Sequence, residues 1–389
     1  MEKKNIAIVI TRLDLGGAQQ VALYLAKNLS RKKFNVHLIC GRGGYLDEEA
    51  KKIKDLNLFF LEELIHPVNL IYDAAAYIRL IMYFEKNRID IVHTHSSKAG
   101  LLGRLAAATA GNKPFIVHTI HGFPFHEFQN PVMHFAYLLL ERLAGYFSGK
   151  LIAVGADVAA YGLKKGVGKH EKYVIIRAGI DLQKFKTTPA RKKAGLELLQ
   201  KHGLKGKTFI VAMIGNLKKQ KNPMAFVEIA KKVVQKENDT GFVFAGDGPL
   251  MENVREALTR KKLNDSVKFI GWCDEPENLL AAADLYLLTS LWEGLPCTLV
   301  QAAVAGKPVI ASDIDGNREF TNLTGCGALF TPHDSNVAAE KIIEVRQKKL
   351  KFRVNRASLR QFDLKYMLVE HEALYAGIPV TVRSKPPVM

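Results

Sequence analysis

One stretch of this chain, residues 291–312, combines the features that a ligand site at a strand end needs. An apolar strand ends there in Glu293 and Gly294, and a helix is predicted to follow with Pro296 at its first position, where no N–H is required. In open sheets of parallel strands, ligands bind at the carboxyl ends of the strands, and the free amides of a helix start favour an anion such as a diphosphate. Glu293 would repel phosphates, but it accepts hydrogen bonds from the hydroxyls of a neutral sugar. The predicted binding positions in this stretch are Glu293, Gly294, Leu295, Pro296, Thr298, Leu299 and Gln301.

The same stretch resembles the glycosyltransferases of family four, which have the two-domain GT-B fold. The resemblance rests on Glu-Gly-x-Pro at 293–296 and on Gly-Lys-Pro-Val-Ile-Ala-Ser at 306–312, and it extends over about residues 5–377. It implies an α/β fold of two Rossmann-like domains that face each other across a cleft, with a C-terminal helix that returns to the N-terminal domain. It also implies a metal-independent, retaining transfer of a hexose from a nucleotide-diphosphate sugar, foremost a UDP-sugar, with no other cofactor.

Gln301 departs from the family pattern. It lies eight residues after Glu293, about two helical turns, so the two side chains are predicted to share a face. Family members have a second Glu at this position, which binds the ribose of the donor. Gln keeps one carbonyl acceptor and loses the charge, so the resemblance implies a weaker ribose contact here. A simpler interpretation of the whole stretch is a helix start that carries a capping acid.

A pair of glycines opens the first helix of the chain. Gly16 and Gly17 follow the first predicted strand, and paired glycines before a helix can bring backbone amides to a phosphate. A plain tight turn explains them equally well on local grounds. The resemblance places this loop near the donor diphosphate and the acceptor, and Gln19 stands where the family has Glu.

Two loops in the second half carry further candidate groups. Lys218 and Lys221 follow a strand and offer a cationic clamp for a leaving diphosphate, or else form an ordinary solvated basic loop. The family often has Gly-Arg-Leu with a Lys five positions after the Arg, and Asn216 and Lys221 occupy these positions. Trp272 lies in a loop that the family uses near the nucleotide base. Ordinary turn chemistry also accounts for that loop.

Histidines are dense at two neighbouring strand ends. His93 and His95 lie on one face of a strand, and His118 and His121 repeat the pattern at the next strand end. His-x-His is a known zinc spacing, but no carboxylates lie near, and the Asp-Ile-Asp of 313–315 lies in a loop of the wrong architecture for a metal. We therefore predict no metal site. His93 fits a hydrogen-bonded core position or, with His95 and Gln19, the acceptor side. The resemblance places His121 near the donor sugar and the acceptor. The predicted catalytic residues are therefore His121, Glu293 and Lys221.

The composition favours a cytoplasmic protein with an anionic partner. The chain has 389 residues, 48% of them hydrophobic, and a net charge of +18. No apolar run reaches the length of about 18 residues that predicts a membrane-spanning helix, and the apolar run at the start is not followed by a cleavage site. The four cysteines show no metal or redox spacing, which fits reduced thiols. No nucleic-acid-binding signature accompanies the charge, so nucleotide diphosphates and acidic lipids are the favoured partners.

Alternating strands and helices predict two βαβ halves with parallel sheets. We expect an N-terminal acceptor domain over residues 1–186, a nucleotide-sugar domain over 187–362, and a returning helix with a tail over 363–389. The predicted strands are Ile6–Ile10, Val36–Cys40, Ile89–His93, Phe115–Thr119, Thr208–Ile214, Gly241–Ala245, Val267–Ile270, Leu285–Leu288 and Pro308–Ala311. The predicted helices are Gln19–Ser30, Leu70–Asn87, Ala99–Ala110, Pro223–Gln235, Leu250–Lys261, Thr298–Ala305 and Asp363–Ala376.

The acceptor implied by the resemblance is a glycan or a polyprenyl-diphosphate-linked sugar of bacterial surface-polysaccharide assembly. An aromatic and basic region at 123–147 fits either an anionic membrane surface on the inner face of the cell membrane or the packed core. Two rival functions are open: a nucleotide-sugar epimerase of the same architecture, and a basic nucleic-acid-binding protein. The apolar residues of this region are Phe123, Phe125, Phe128, Phe135, Tyr137, Leu138, Leu139, Leu140, Tyr146 and Phe147.

Overall fold

The computed structural model describes residues 3–125 and 129–377, and this part of the chain divides into two compact units. One unit contains the chain up to Gly179 together with the helix that starts at Leu364, and the other contains Ile180–Asp363. The second unit thus begins earlier than the predicted residue 187. The reason is local: Ile180 forms a parallel bridge with Asp363 and its N–H donates to the carbonyl of Phe362 at 2.8 Å.

The first unit is built on one parallel sheet. Its strands are β1 (Lys4–Arg12), β2 (Phe34–Gly41), β3 (Leu56–Phe60), β4 (Ile91–Thr94), β5 (Phe115–Ile120), β6 (Lys150–Ala153) and β7 (Tyr173–Ile175). Their order across the sheet is β3-β2-β1-β4-β5-β6-β7. The interior strands are mostly apolar, as strands covered on both faces are, and the buried polar residues of β4 and β5 lie toward their carboxyl ends.

The second unit repeats this arrangement. Its strands are β8 (Phe209–Ile214), β9 (Thr240–Ala245), β10 (Val267–Phe269), β11 (Leu285–Leu288), β12 (Val309–Ser312) and β13 (Gly327–Phe330). Their order is β10-β9-β8-β11-β12-β13, with parallel pairing throughout. This is the strand order of a Rossmann fold. Successive strands are added on one side of the first strand and then, from the fourth strand on, on its other side. The predicted α/β class with two Rossmann-like domains is confirmed.

The helices cross between successive strands. In the first unit they are α1 (Gly17–Asn28), α2 (Asp47–Lys51), α3 (Leu70–Lys86), α4 (Ser97–Thr109), α5 (Pro131–Phe147) and α6 (Ala156–Lys164). In the second unit they are α7 (Pro189–Lys201), α8 (Pro223–Lys236), α9 (Met251–Arg260), α10 (Pro276–Ala282), α11 (Cys297–Val304), α12 (Asp315–Thr324), α13 (Ser335–Arg346) and α14 (Arg356–Leu359). The last helix, α15 (Leu364–Tyr375), belongs to the first unit and packs near α1. Short 3₁₀ segments occupy His170–Lys172, Lys219–Lys221 and Arg360–Phe362.

Every predicted strand and helix is present, with its bounds within two residues of those expected. Among the elements that were not predicted, β7 and β13 are short and lie at sheet edges, where too few residues are buried to leave a periodic pattern. The longer helices α5, α12 and α13 were also not predicted. Of the described residues, no helix is both long and apolar enough to cross a membrane. Cys40 and Cys326 are buried as expected, whereas Cys273 and Cys297 are only partly buried.

A close backbone contact fixes the loop that follows β11. A β-carbon at Gly316, in the first turn of α12, would lie against the carbonyl oxygen of Gly294, far inside van der Waals distance. Since the obstacle is main chain on both sides, neither partner can turn away. Gly316 therefore holds the Glu293–Gly294 segment against the start of α12.

We predict that Gly316→Ala destabilises the second unit. Alanine normally favours a helix over glycine, but overpacking against backbone costs about 1–3 kcal/mol, so the thermal midpoint should fall. Gly122→Ala is the matched control, because a β-carbon there meets no neighbouring atom. Equal thermal midpoints for the two variants would contradict this account.

Candidate functional site

In the second unit, Lys221 and Glu293 meet at the point where the strand order of the sheet reverses, between β8 and β11. Lys221 lies in the loop after β8, and Glu293 lies in the loop after the neighbouring strand β11. The Lys221 ammonium donates a short hydrogen bond to Oε1 of Glu293, and both side chains are largely buried. Two of the predicted catalytic residues are thus brought together at the place where Rossmann folds bind ligands.

Two polar neighbours hold the Glu293 carboxylate. The Ser290 hydroxyl donates to Oε1 at 2.7 Å, and the amide of Gln220 donates to Oε2 at 3.3 Å and to the carbonyl of Trp292 at 2.9 Å. The backbone of Gln220 is held in turn, because its main-chain carbonyl accepts the N–H of Leu291 at 2.8 Å. The carboxylate is therefore fixed on both oxygens before any ligand is present.

The loops on either side are tied to each other. Thr289 donates to the carbonyls of Lys221 and Asn222 at 2.8 and 3.1 Å. Ser312, at the end of β12, donates to the carbonyl of Ser290 at 2.5 Å. Three successive strand ends are joined in this way, so the positions of Lys221 and Glu293 are set by buried hydrogen bonds.

The helix α11 begins at Cys297, so Pro296 does not open it as predicted. Pro296 lies just before the helix, not at its first position, and the N–H of Leu299 donates to the Pro296 carbonyl at 3.0 Å. The Leu299 amide is therefore not open to a ligand, which corrects its predicted role. The amides of Cys297 and Thr298 precede it at the helix start, where N–H groups have no intrahelical partner. Leu295 is buried under this turn.

The argument that placed Gln301 and Glu293 on one face was wrong. Gln301 lies within α11, but Glu293 lies in the preceding loop, so helical periodicity does not relate the two side chains. Gln301 is half-buried. Its contact with ribose stays a prediction that depends on the family resemblance.

The other predicted donor residues of this unit lie at its surface. Asn216 and Lys218 are exposed in the loop after β8. Trp272 is half-exposed, and its indole N–H donates to the Asp274 carboxylate at 3.0 Å. These side chains are accessible to a ligand, and their contacts with a donor stay predictions.

In the first unit, the loop that contains Gly16 and Gly17 lies at the corresponding reversal of strand order, between β1 and β4. Gly16 is the residue before α1, and the side-chain amide of Gln19 folds back over it. Gly17 is exposed. Across the gap, Thr11 and Ser96 share a hydrogen bond of 2.7 Å that ties the ends of β1 and β4 together.

His95 and His121 form a direct pair at the ends of β4 and β5. Nδ1 of His95 lies 3.0 Å from Nε2 of His121, and the ring centroids are 5.3 Å apart. Burial lowers the pKa of His121 to about 3 and places the pKa of His95 well below its usual range. Both rings are therefore neutral near pH 7, so His121 acts there as a hydrogen-bonding group and not as a cation.

His93 is a core residue, as one of the two sequence interpretations predicted. Its Nδ1 bonds the hydroxyl of Tyr375 at 2.5 Å and its Nε2 bonds the hydroxyl of Thr119 at 2.7 Å. The side chain is fully buried because α15 covers it with Tyr375 and His371. Both nitrogens are occupied, so the predicted acceptor-side role of His93 is wrong for this state. His95 is fully buried too, which also argues against direct contact with an acceptor.

His118 points to the other side of the sheet, toward α4. Its Nδ1 bonds the Thr94 hydroxyl at 2.8 Å, and the ring packs where any side chain at Gly100 would collide with it. Beside it, Arg104 and Glu141 form a buried ion pair at 2.8 Å. A small cavity at the ends of β4 and β5 is lined by Ser96, Ser97, His118, His121, Gly122 and Glu141, among others.

No metal centre is evident in the two described ranges, since no three His, Cys, Asp or Glu side chains there are arranged to hold a metal ion. The Asp313 and Asp315 carboxylates both contact Arg318, at 2.7 and 3.0 Å. They are thus neutralised by a neighbouring guanidinium.

Sequence reasoning missed four residues that hold these sites. Ser290 and Gln220 support Glu293, and no spacing in the sequence marked them. His371 and Tyr375 cover His93, and their separation of four positions places them on one face of α15. That spacing was a usable signal.

The buried histidines predict that acid destabilises the first unit. Burial lowers the pKa of His371 to about 4 from 6.5, so the unfolded chain binds more protons than the folded one between these values. The contribution of His371 to the free energy of unfolding is fully present above about pH 6.5. It falls as the pH drops, by about 2 kcal/mol at pH 5 for His371 alone.

In His371→Phe the loss of stability between pH 7 and pH 5, measured by urea unfolding, should be smaller by this amount. His170→Asn changes an exposed histidine and should keep the full loss, and identical pH dependence in both variants would argue against the assignment.

Comparison with known proteins gives the family. Residues 196–358 match the family model of glycosyl transferases group 1, and residues 15–184 match that of glycosyltransferase family 4. The chain is 34% identical over 357 residues to an Escherichia coli protein named UDP-Gal:alpha-D-GlcNAc-diphosphoundecaprenol alpha-1,3-galactosyltransferase, covering 90% of this chain and 89% of that protein. It is 29% identical to the putative glycosyltransferase EpsD of Bacillus subtilis, over 71% of this chain and 72% of that one.

The crystal structure of Anabaena HepE in complex with UDP-glucose superposes with a TM-score of 0.80 at 20% identity, over 96% of this chain and all of that one. The chain therefore belongs to the group 1 glycosyltransferases of family 4.

Proposed function

We propose that the enzyme transfers a hexose from a UDP-sugar to a hydroxyl of a polyprenyl-diphosphate-linked sugar or glycan in surface-polysaccharide assembly, with retention and without a metal. The observation that carries the proposal is the Lys221–Glu293 pair, which supplies one cation and one carboxylate at the ligand-binding end of a Rossmann sheet. The E. coli relative is named for a UDP-galactose donor and a diphosphoundecaprenol acceptor, and the HepE structure contains UDP-glucose. Both support this choice of donor and acceptor.

The diphosphate of the donor competes with Glu293 for Lys221. In the ligand-free state the ammonium neutralises the carboxylate, and two phosphates carry more negative charge than one carboxylate. Lys221 then contacts the diphosphate with the start of α11, and Lys218 adds a second cation. These groups stabilise the charge that develops on UDP as the glycosidic bond breaks, which is the work that a metal does in other enzymes.

Glu293 stays in place when Lys221 leaves it. The Ser290 and Gln220 hydrogen bonds hold the carboxylate, which keeps free lone pairs for hydroxyls of the transferred hexose. His121 of the first unit is neutral near pH 7, so it suits a hydrogen bond to substrate better than general base catalysis. The acceptor proton then passes to a leaving phosphate oxygen, as in the family, and the sugar keeps its anomeric configuration.

Turnover with nucleotide sugars in chelator tests the function. A panel of UDP-, GDP- and ADP-hexoses with a polyprenyl-diphosphate-linked sugar should give product with a UDP-hexose, undiminished by excess EDTA, and NMR of the product should give the retained anomer. Loss of activity in EDTA that manganese or magnesium restores would refute the metal-free mechanism. A free isomerised sugar without transfer would favour the epimerase, and salt-sensitive duplex binding without turnover would favour a nucleic-acid-binding protein.

Glu293→Gln removes the charge with little change of shape. We expect kcat/KM to fall at least about tenfold, because hydrogen bonds to a charged group contribute about 1.5–3 kcal/mol. Glu197→Gln is the control, since Glu197 is exposed on α7, which does not carry a predicted site residue. The two variants should have similar thermal midpoints, and near-normal turnover of Glu293→Gln would leave Glu293 only a structural role.

Gln301→Glu tests the ribose contact that the resemblance implies. A carboxylate at this position should tighten UDP binding by up to about tenfold through a charge-assisted hydrogen bond to a ribose hydroxyl. Calorimetric titration with UDP and with uridine measures it, since uridine lacks the phosphates that the new charge repels. Unchanged affinity for both ligands would mean that Gln301 does not contact ribose.

The helix α5 supports peripheral binding to the inner face of the cell membrane. Its inner side packs on the first unit through Leu138 and Glu141, while its outer side is apolar and exposed, with Phe135 64% and Tyr146 74% accessible. Of the region that the sequence left open between core and membrane, Phe125 lies in the core and Phe128 lies outside the described residues. The remaining exposed members are Leu139, Leu140 and Phe147, together with Val132, Met133 and Leu143.

Basic side chains accompany this face. Lys172 lies 5.8 Å over the ring of Tyr146, and Arg142 is exposed on the helix itself. Apolar groups with neighbouring cations match an anionic lipid surface, and such a surface would carry the lipid-linked acceptor.

Removing the apolar face should weaken vesicle binding. The triple variant F135S/L139S/Y146S should partition at least about tenfold less to vesicles containing phosphatidylglycerol, because each large apolar side chain contributes about 1.5–3 kcal/mol when buried. Leu196→Ser is the control, since Leu196 is exposed on α7 of the second unit. Equal sedimentation of both variants with the vesicles would refute the membrane surface.

A further inference from the structure

His95 lies at the end of β4 with one ring nitrogen engaged. Its backbone N–H donates to the carbonyl of Val9 at 2.8 Å, and its Nδ1 faces Nε2 of His121 at 3.0 Å. The side chain is fully buried. Within the described residues, its Nε2 has no hydrogen-bond partner.

The neighbouring rings are hydrogen-bonded to other groups. Both nitrogens of His93 are bonded to hydroxyls, although its ring lies only 4.2 Å from that of His95. His371 donates its Nδ1 proton to the carbonyl of Met367 at 2.8 Å, because a carbonyl can only accept. Neither ring therefore settles where the proton between His95 and His121 lies.

Burial settles it. Desolvation keeps both rings neutral near pH 7, so their facing nitrogens share one proton. If His121 donated it, His95 would carry its own proton on Nε2, as a buried N–H without an acceptor. If His95 donates it, the unpartnered Nε2 holds only a lone pair, and proteins tolerate a bare buried acceptor better than an orphaned N–H.

We propose that His95 is a positioning residue, whose Nδ1–H donates to Nε2 of His121 and thereby keeps the His121 proton on Nδ1. His121 then presents a hydrogen-bond donor, which selects an oxygen atom of a bound sugar and excludes a general-base role. This consequence rests on the proposed glycosyl transfer, whereas the proton assignment does not. His121 lines the small cavity together with Ser96, Ser97 and Gly122, and an oxygen atom of a sugar would accept the hydrogen bond that its Nδ1–H offers.

An isosteric pair of variants separates donation from packing. His95→Asn places an amide N–H where Nδ1 was, and His95→Leu has nearly the same shape without a donor. Both leave similar space in the core, but the buried amide of Asn also has unpaired polar atoms, so the thermal midpoint of H95N should be no higher than that of H95L. Greater stability therefore cannot explain a recovery of activity in H95N. We expect H95L to lose about tenfold in kcat/KM and H95N to recover at least threefold of that, with the difference in kcat, since about 1.4 kcal/mol corresponds to a factor of ten.

Ring ¹⁵N NMR tests the assignment without turnover. In the full-length protein labelled at histidine, with His121→Gln used to assign the signal, His121 should be the Nδ1–H tautomer, and H95L should shift it toward a mixture. An Nε2–H tautomer of His121 in the unmodified protein would overturn the proposal, as would equal activities of H95L and H95N. If no nucleotide sugar is turned over, the proposed function fails, and the NMR result still decides the proton position.

Discussion

Parallel strands that are covered on both faces can carry polar side chains mainly where they end, and this constraint organises both units. At the reversal of strand order, the loops of two neighbouring strands diverge and leave an open edge. Lys221 and Glu293, which are 72 residues apart in the sequence, meet at that edge because β8 and β11 are neighbours. Thr11 and Ser96 meet at the equivalent edge of the first unit for the same reason.

Desolvation gives the two edges different electrostatic character. In the second unit a charged pair is partly buried, and it is tolerated because Ser290 and Gln220 satisfy the carboxylate. In the first unit α15 covers His93 with His371 and Tyr375, neither of which is an acid that could pair with an imidazolium, so burial keeps His93 and His371 neutral. The proposed chemistry follows this division, with charge stabilisation in one unit and neutral hydrogen bonding in the other.

The helix α5 is largely apolar on both its inner and its outer side, and within residues 3–125 and 129–377 the inner side is packed while the outer side is exposed. The buried Arg104–Glu141 pair anchors it to α4, which gives a rigid support for an exposed apolar face. A helix that is apolar all round is normally buried in protein or in lipid. The proposed membrane surface accounts for the outer side by the same rule that accounts for the inner one.

The sequence by itself determined the fold class, the main strands and helices, and the loops that carry the chemistry. Buried strands and amphipathic helices leave periodic patterns, and Gly, Pro and charged residues mark the strand ends, so Lys221, Glu293 and His121 could be selected by position. The second unit's start at Ile180 was missed by a few residues, because a single bridge to Asp363 ties it there.

Tertiary structure alone decided which of these groups touch. Helical spacing wrongly linked Gln301 to Glu293, since the helix begins between them. Of the two supports of Glu293, Ser290 lies at the end of the same strand and Gln220 comes from another strand end. His93 and His95 have similar sequence surroundings, yet His93 has both nitrogens occupied while His95 holds His121. Local sequence fixes which strand a side chain follows, but burial and hydrogen bonding depend on elements hundreds of residues away, such as α15, and these set the partners and the protonation of each group.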